Sequence, residues 1–145
     1  MSDDYVFDTE AIIAYLYKEP SHEVVADLLD EVFSGEVGGF ITETNACEVF
    51  YLVARFEGTD ETPTDVSLRE ADRDIRALER QGLELGTANW RLAAEIKADR
   101  SISLADAYAV ALAYEREATL VAGADDDFDE LSVDSNVLRF REEGV

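Results

Sequence analysis

The sequence predicts an α/β fold with a parallel central sheet covered on both faces, and three observations lead there. Short apolar runs suited to buried strands recur between longer segments of helical periodicity. Capping residues and breakers fall at the joins between them. The chain has 145 residues, 47% of them apolar, which suits one domain with a sizeable core, taken as residues 1–145.

Residues 5–8 (Tyr-Val-Phe-Asp) read as a buried strand, followed by a helix from Thr9 to Glu19 with Ile12, Ile13, Leu16 and Tyr17 apolar and Pro20 ending it. Ser21 caps a second helix, where Val24, Val25, Leu28, Leu29 and Val32 keep helical spacing until Gly35. Gly38 to Thr42 is a short strand, and Thr44 to Glu57 a long apolar helix in which Cys47 reads as a small core residue. Gly58 to Thr64 is a polar loop. Val66 to Arg80 is a helix dense in both signs of charge, the pattern of a salt-bridged, solvated face. A brief strand at Leu83–Leu85 precedes helices at Ala88–Asp99 and from Ser103 to about Glu117. Thr119–Ala122 is a strand, Asp125–Leu131 a helical turn, and Val137–Phe140 a last strand. Strands alternating with helices give parallel pairing, and ligands of such sheets sit beyond the carboxyl ends of the strands, where Asp8 and Asp125 fall.

Four acids stand out because an unpaired charge in an apolar setting is costly. Asp8 ends the first strand, Glu48 and Asp106 lie inside apolar helices, and Asp125 follows the apolar run Thr119–Ala122. With one His and one Cys in the chain, they suggest a hard-cation site built from oxygen ligands. Each also has an ordinary reading. Asp8 suits the N-cap of the helix that follows it. Asp106 completes the capping-box spacing Ser103-Leu104-Ala105-Asp106, although Ile102, Ala109 and Val110 around it are apolar. Glu48 belongs to a polar stripe with Thr44, Asn45, Tyr51 and Arg55. Asp125 could cap the turn after it. The alternation Asp125, Asp127, Asp129 imitates a calcium loop, but Glu130 stands where that loop needs glycine and Asn136 where it needs glutamate.

Other chemistries find little support. His22 and Cys47 cannot supply a usual zinc set, and His22 has no motif context for a nucleophilic triad. The spacing of Gly35, Gly38 and Gly39 is not that of a phosphate loop. With no apolar run near membrane-spanning length and no signal segment at the start, the chain is expected to be soluble and cytoplasmic, with no membrane partner. The net charge is −22, from 34 acids against 12 bases, of which ten are Arg and only Lys18 and Lys97 are Lys. These acids are spread through periodic segments, so the expectation is a folded domain with an acidic surface, resembling cytoplasmic proteins of salt-loving archaea.

The order and setting of the four acids resemble the PIN-domain nucleases, VapC-type toxins in particular, over nearly the whole chain. Val6-Phe7-Asp8-Thr9 is similar to the family's opening strand and Asp. Phe40 to Val49 is similar to its second strand and Glu-bearing helix. Ile102-Ser103-Leu104-Ala105-Asp106-Ala107 is close to its central Asp motif, and Val121 to Phe128 to its last acidic loop. The family often has Ser or Thr two residues before that last Asp, where this chain has Gly123.

The resemblance implies a PIN-like three-layer α/β/α domain with a parallel sheet of about five strands. It implies an endoribonuclease dependent on Mg²⁺ or Mn²⁺, with Asp8, Asp106 and Asp125 as metal ligands and Glu48 binding metal or orienting water. Thr9, Thr42 and Asp127 become candidates for supporting these acids, and Arg55 and Arg69 for touching RNA phosphates. It further implies an antitoxin partner and a homodimer. Two alternatives stay open: an RNA-processing PIN nuclease without an antitoxin, and a non-catalytic binding module on the same fold.

Overall fold

In the computed structural model, residues 2–99, 101–123, 128 and 136–141 are described. The elements run β1 (Tyr5–Phe7), α1 (Thr9–Tyr17), α2 (His22–Phe33), β2 (Gly39–Thr42), α3 (Glu43–Phe56), α4 (Asp65–Gln81), β3 (Leu83–Gly86), α5 (Trp90–Asp99), α6 (Leu104–Arg116), β4 (Thr119–Ala122) and β5 (Asn136–Arg139). The strands form one five-stranded sheet in the order β3-β2-β1-β4-β5, with every neighbouring pair parallel.

Side chains alternate across a strand, so each strand feeds two cores. Phe7, Ile41, Leu83 and Val121 point to one face, where α1 to α4 bury Ile12, Leu29, Val49 and Val53 against them. Val6, Phe40, Leu120 and Ala122 point to the other, against Ile96, Ile102, Val110 and Leu112 of the α5–α6 side. Each fully buried large apolar side chain contributes about 1.5–3 kcal/mol relative to exposure. Helices on both faces of a parallel sheet make the three-layer α/β/α architecture. A Cβ at Gly39 would stand 2.5 Å from Val32, so only glycine lets α2 lie this close to β2.

Local signals set most boundaries. Thr42 Oγ1 accepts from Asn45 N, Thr64 and Ser67 form a reciprocal capping box, and Ser103 Oγ accepts from Asp106 N. Several details depart from the sequence reading. The fifth helix starts at Trp90 rather than Ala88, because Asn89 Oδ1 takes the N–H groups of Arg91 and Leu92. Ser21 precedes α2 in a left-handed conformation (φ 68°) and its hydroxyl makes no cap hydrogen bond. Val24 is exposed, while Val25, Leu29 and Val32 carry the buried stripe. Cys47 is exposed rather than in the core: the buried stripe of α3 is Asn45, Ala46, Val49, Val53 and Ala54, and Cys47 falls off it. The charged helix behaves as read, with Arg76 bridging to Asp72 and Glu79 on the exposed face of α4. Of the turn expected at Asp125–Leu131, only Phe128, which is buried, lies within the described residues. Among the described residues no helix is long and apolar enough to cross a membrane.

Candidate active site

The direction of strand addition reverses at β1. β2 and β3 lie on one side of it and β4 and β5 on the other. Chains leaving the carboxyl ends of β1 and β4 therefore diverge and open a crevice. At its mouth lies a cleft of about 360 Å³ lined by Asp8, Thr9, Glu10, Ile13, Glu48, Leu52, Ser103, Asp106 and Phe128. Three acids separated by 40 and 58 residues in the chain, Asp8, Glu48 and Asp106, thus share one wall of space.

Asp8 is the residue after β1 and the N-cap of α1, only 3% exposed. Its backbone N–H donates to Val121 O at 3.1 Å, tying it to β4, and its Oδ1 accepts from Ala11 N at 2.7 Å. Its ordinary reading as a cap is therefore real, and the cap is what aims the carboxylate. Burial pushes its pKa well above the usual carboxylate value. The Ala11 N–H opposes this, the charges of Asp106 and Glu10 add to it, and the Gly123 N–H opposes it.

Asp106 enters from the first turn of α6, where the helix dipole favours an anion, and Ser103 Oγ holds its backbone N–H at 3.1 Å. Glu48 enters from α3 and accepts a 2.6 Å hydrogen bond from Thr9 Oγ1 at its Oε1. That hydroxyl in turn accepts from Asn45 Nδ2 at 3.0 Å. Asn45, fully buried, is fixed by Thr42, whose Oγ1 accepts from Asn45 N at 2.9 Å and donates to Asn45 Oδ1. Thr42, Asn45, Thr9 and Glu48 form one chain of hydrogen bonds from the end of β2 to the cleft. A buried network in which each member is paired holds its geometry firmly.

Thr9 therefore touches an acid directly, whereas Thr42 acts one step back, through Asn45. Sequence reasoning passed over Asn45 by placing it on a solvated polar stripe with Glu48. The signal was its spacing: it lies three residues after the capping Thr42 and three before Glu48. Arg55, two turns beyond Glu48 and about 10 Å along the axis, lies over the Tyr51 ring at 4.8 Å and does not line the cleft. Arg69 is exposed on α4 and does not line it either. Asp125 and Asp127 lie outside the described residues.

Glu10, unremarked in the sequence, also lines the cleft. Arg141 Nη1 donates to its Oε1 at 2.9 Å. A Cβ at Gly123 would fall on the Glu10 carboxyl group. The position where a hydroxyl was expected is therefore glycine with its side-chain space already occupied.

The sequence profile of the PIN domain family matches residues 5–134. The chain belongs to the PIN domain family. No curated protein sequence matches this PIN domain. Solved structures share its fold at low identity. A chain of VapBC2 from Rickettsia felis, bound to a DNA fragment from their promoter, superposes with a TM-score of 0.69 at 14% identity, covering 94% of this chain and 98% of the other. A chain of DNA-bound VapBC from Salmonella typhimurium gives 0.68 at 11% identity, covering 95% and 98%. PAE2754 from Pyrobaculum aerophilum gives 0.56 at 15% identity, covering 88% and 84%.

The donor set of the cleft suits a hard divalent cation: it offers carboxylate and hydroxyl oxygens, with no His or Cys among its lining residues. A desolvated Asp8 facing the charge of Asp106 is a site that a cation would relieve. Among the described residues no three acids stand close enough to clasp one ion together. Mg²⁺ asks for less, one or two carboxylates with its remaining positions filled by water.

Proposed function

We propose that this PIN domain is a divalent-metal-dependent endoribonuclease and the toxin of a VapBC-type pair. The observation that carries the reading is the convergence of Asp8, Asp106 and Glu48 in one cleft at the carboxyl edge of the sheet. The VapBC complexes among its structural neighbours support an antitoxin partner.

Asp8 and Asp106 would hold Mg²⁺ or Mn²⁺, with Asp125 as the third carboxylate. When bound, such an ion lowers the pKa of a coordinated water and offsets charge on the phosphate under attack. Glu48, one oxygen occupied by the Thr9 hydroxyl, orients water with the other. Asn45 prevents Thr9 from rotating away, so Glu48 reaches the cleft with its geometry set in advance. The apolar Ile13, Leu52 and Phe128 restrict water to the acidic wall and strengthen the electrostatics there. An acidic surface repels RNA at long range, so neutralisation of the phosphate falls to the bound cation.

The test is cleavage of single-stranded RNA by the purified chain with Mg²⁺ or Mn²⁺, with EDTA, and as Asp8→Asn. Metal-dependent cleavage lost in EDTA and in the variant is the expected result. Equal cleavage in all three would end the assignment. Co-expression with the product of a small adjacent gene, relieving growth arrest, tests the antitoxin partner.

A further inference from the structure

Glu10 and Gly123 exclude each other's alternatives. Gly123 is absent from the glycines with positive φ, which among the described residues are Gly35 and Gly82. Its backbone would therefore accept a side chain. What forbids one is Glu10, whose Oε1, Oε2 and Cδ all lie where a Cβ would stand. Arg141 keeps that carboxylate there. Its Nη1 bonds Glu10 at 2.9 Å, its Nη2 lies 3.5 Å from Glu19, and its Nε donates to Pro20 O at 3.2 Å. With its side chain only 17% exposed and its guanidinium 5.1 Å from the centre of the Phe140 ring, Arg141 is itself firmly seated. The carboxylate so seated lines the cleft that holds Asp8, Glu48 and Asp106, and its charge acts on Asp8 despite the Arg141 pairing. Arg141 offsets part of that charge, and a cation in the cleft would offset the rest.

We propose that Glu10 is a positioning residue of this site, holding the water shell of the bound cation beside Asp8, and that Gly123 and Arg141 serve to seat it. The proposal rests on the metal-dependent reading above. It assigns Glu10 a water-mediated place, in keeping with an ion that retains several of its waters.

Mn²⁺ alone, titrated into the apo chain and followed by its electron paramagnetic resonance signal, reads this without any activity assay. Groups that act through a metal's outer shell typically change affinity by 10–100-fold, so Glu10→Gln should weaken Mn²⁺ binding about tenfold. Gly123→Ala should weaken it similarly, because the new Cβ expels Glu10. In a Glu10→Ala background, Gly123→Ala should change nothing further, since its target is gone. Melting in EDTA accompanies each variant. Wild-type Mn²⁺ affinity in Glu10→Gln, beside weakened binding in Asp8→Asn, would make Glu10 a mere ion-pair partner of Arg141 and overturn the proposal while leaving the metal site standing. Unchanged affinity in Asp8→Asn as well would remove both.

Discussion

Replacing Asp8 by Asn should separate the observed capping role of that residue from its proposed metal binding. Asparagine caps a helix about as well as aspartate, so the 2.7 Å bond from Ala11 N should survive. The amide cannot accept from Gly123 N–H with its nitrogen, a loss of about 1 kcal/mol. Against this, the variant removes a carboxylate that is 3% exposed and held near the charges of Asp106 and Glu10. The sign follows from linkage. Because burial raises the folded-state pKa of Asp8 well above the ordinary carboxylate value, the folded chain binds its proton more tightly than the unfolded chain. Stability from this group is therefore lost as pH rises from near 4 through the raised folded value. At neutral pH and without metal, Asp8→Asn should melt at or above the wild-type temperature. Metal reverses the order. An ion at 100 times its dissociation constant stabilises the folded state by about 2.7 kcal/mol. For a domain of about this size each kcal/mol moves the melting temperature by roughly 2–4 °C, so saturating Mn²⁺ should raise the wild type by roughly 5–10 °C. Asp8→Asn should lose most of that rise. Scanning fluorimetry at pH 7, with EDTA and with Mn²⁺, measures all four values. An equal Mn²⁺ shift in both proteins, or an apo variant melting well below the wild type, would refute the placement of Asp8 as a strained ligand.

The other predictions are more direct. Asp106→Asn should reduce RNA cleavage by orders of magnitude while leaving the circular dichroism spectrum intact, because it removes the charge of a proposed ligand at nearly constant volume; cleavage near the wild-type rate would count against its role. Asn45→Ala should cost about 2–3 kcal/mol in denaturant melts, since the Thr9 and Thr42 hydroxyls lose a buried partner. It should also lower cleavage through the loosened Glu48, and an intact rate would show that Glu48 needs no such support. The melting temperature should rise as KCl increases toward molar concentration, because a Debye length of about 3 Å at 1 M screens repulsion among surface carboxylates. Melting insensitive to KCl would remove the salt-adapted reading of the net charge of −22.

The sequence by itself determined what depends on neighbours in the chain. Alternating apolar runs placed the five strands, and Asp8 and Ser103 announced helix starts through caps that reach only three residues ahead. Asp8 and Asp106 were visible as acids in the wrong company, because the cost of burying charge can be read from apolar neighbours. Tertiary structure alone decided which way residues on the helix borders face. Cys47 turned outward and Asn45 inward on the same helix, a rotation the mixed pattern of α3 does not settle. It also decided the partnerships. Glu48 is held by Thr9 from 39 residues away, not by Arg55, and Glu10 by Arg141 from 131 away. Such pairs are fixed by the parallel sheet, whose order sets the carboxyl ends of β2, β1, β4 and β5 in one row. Sequence spacing carries no trace of them, because the energy that selects each pair comes from packing both faces of the sheet and not from either partner.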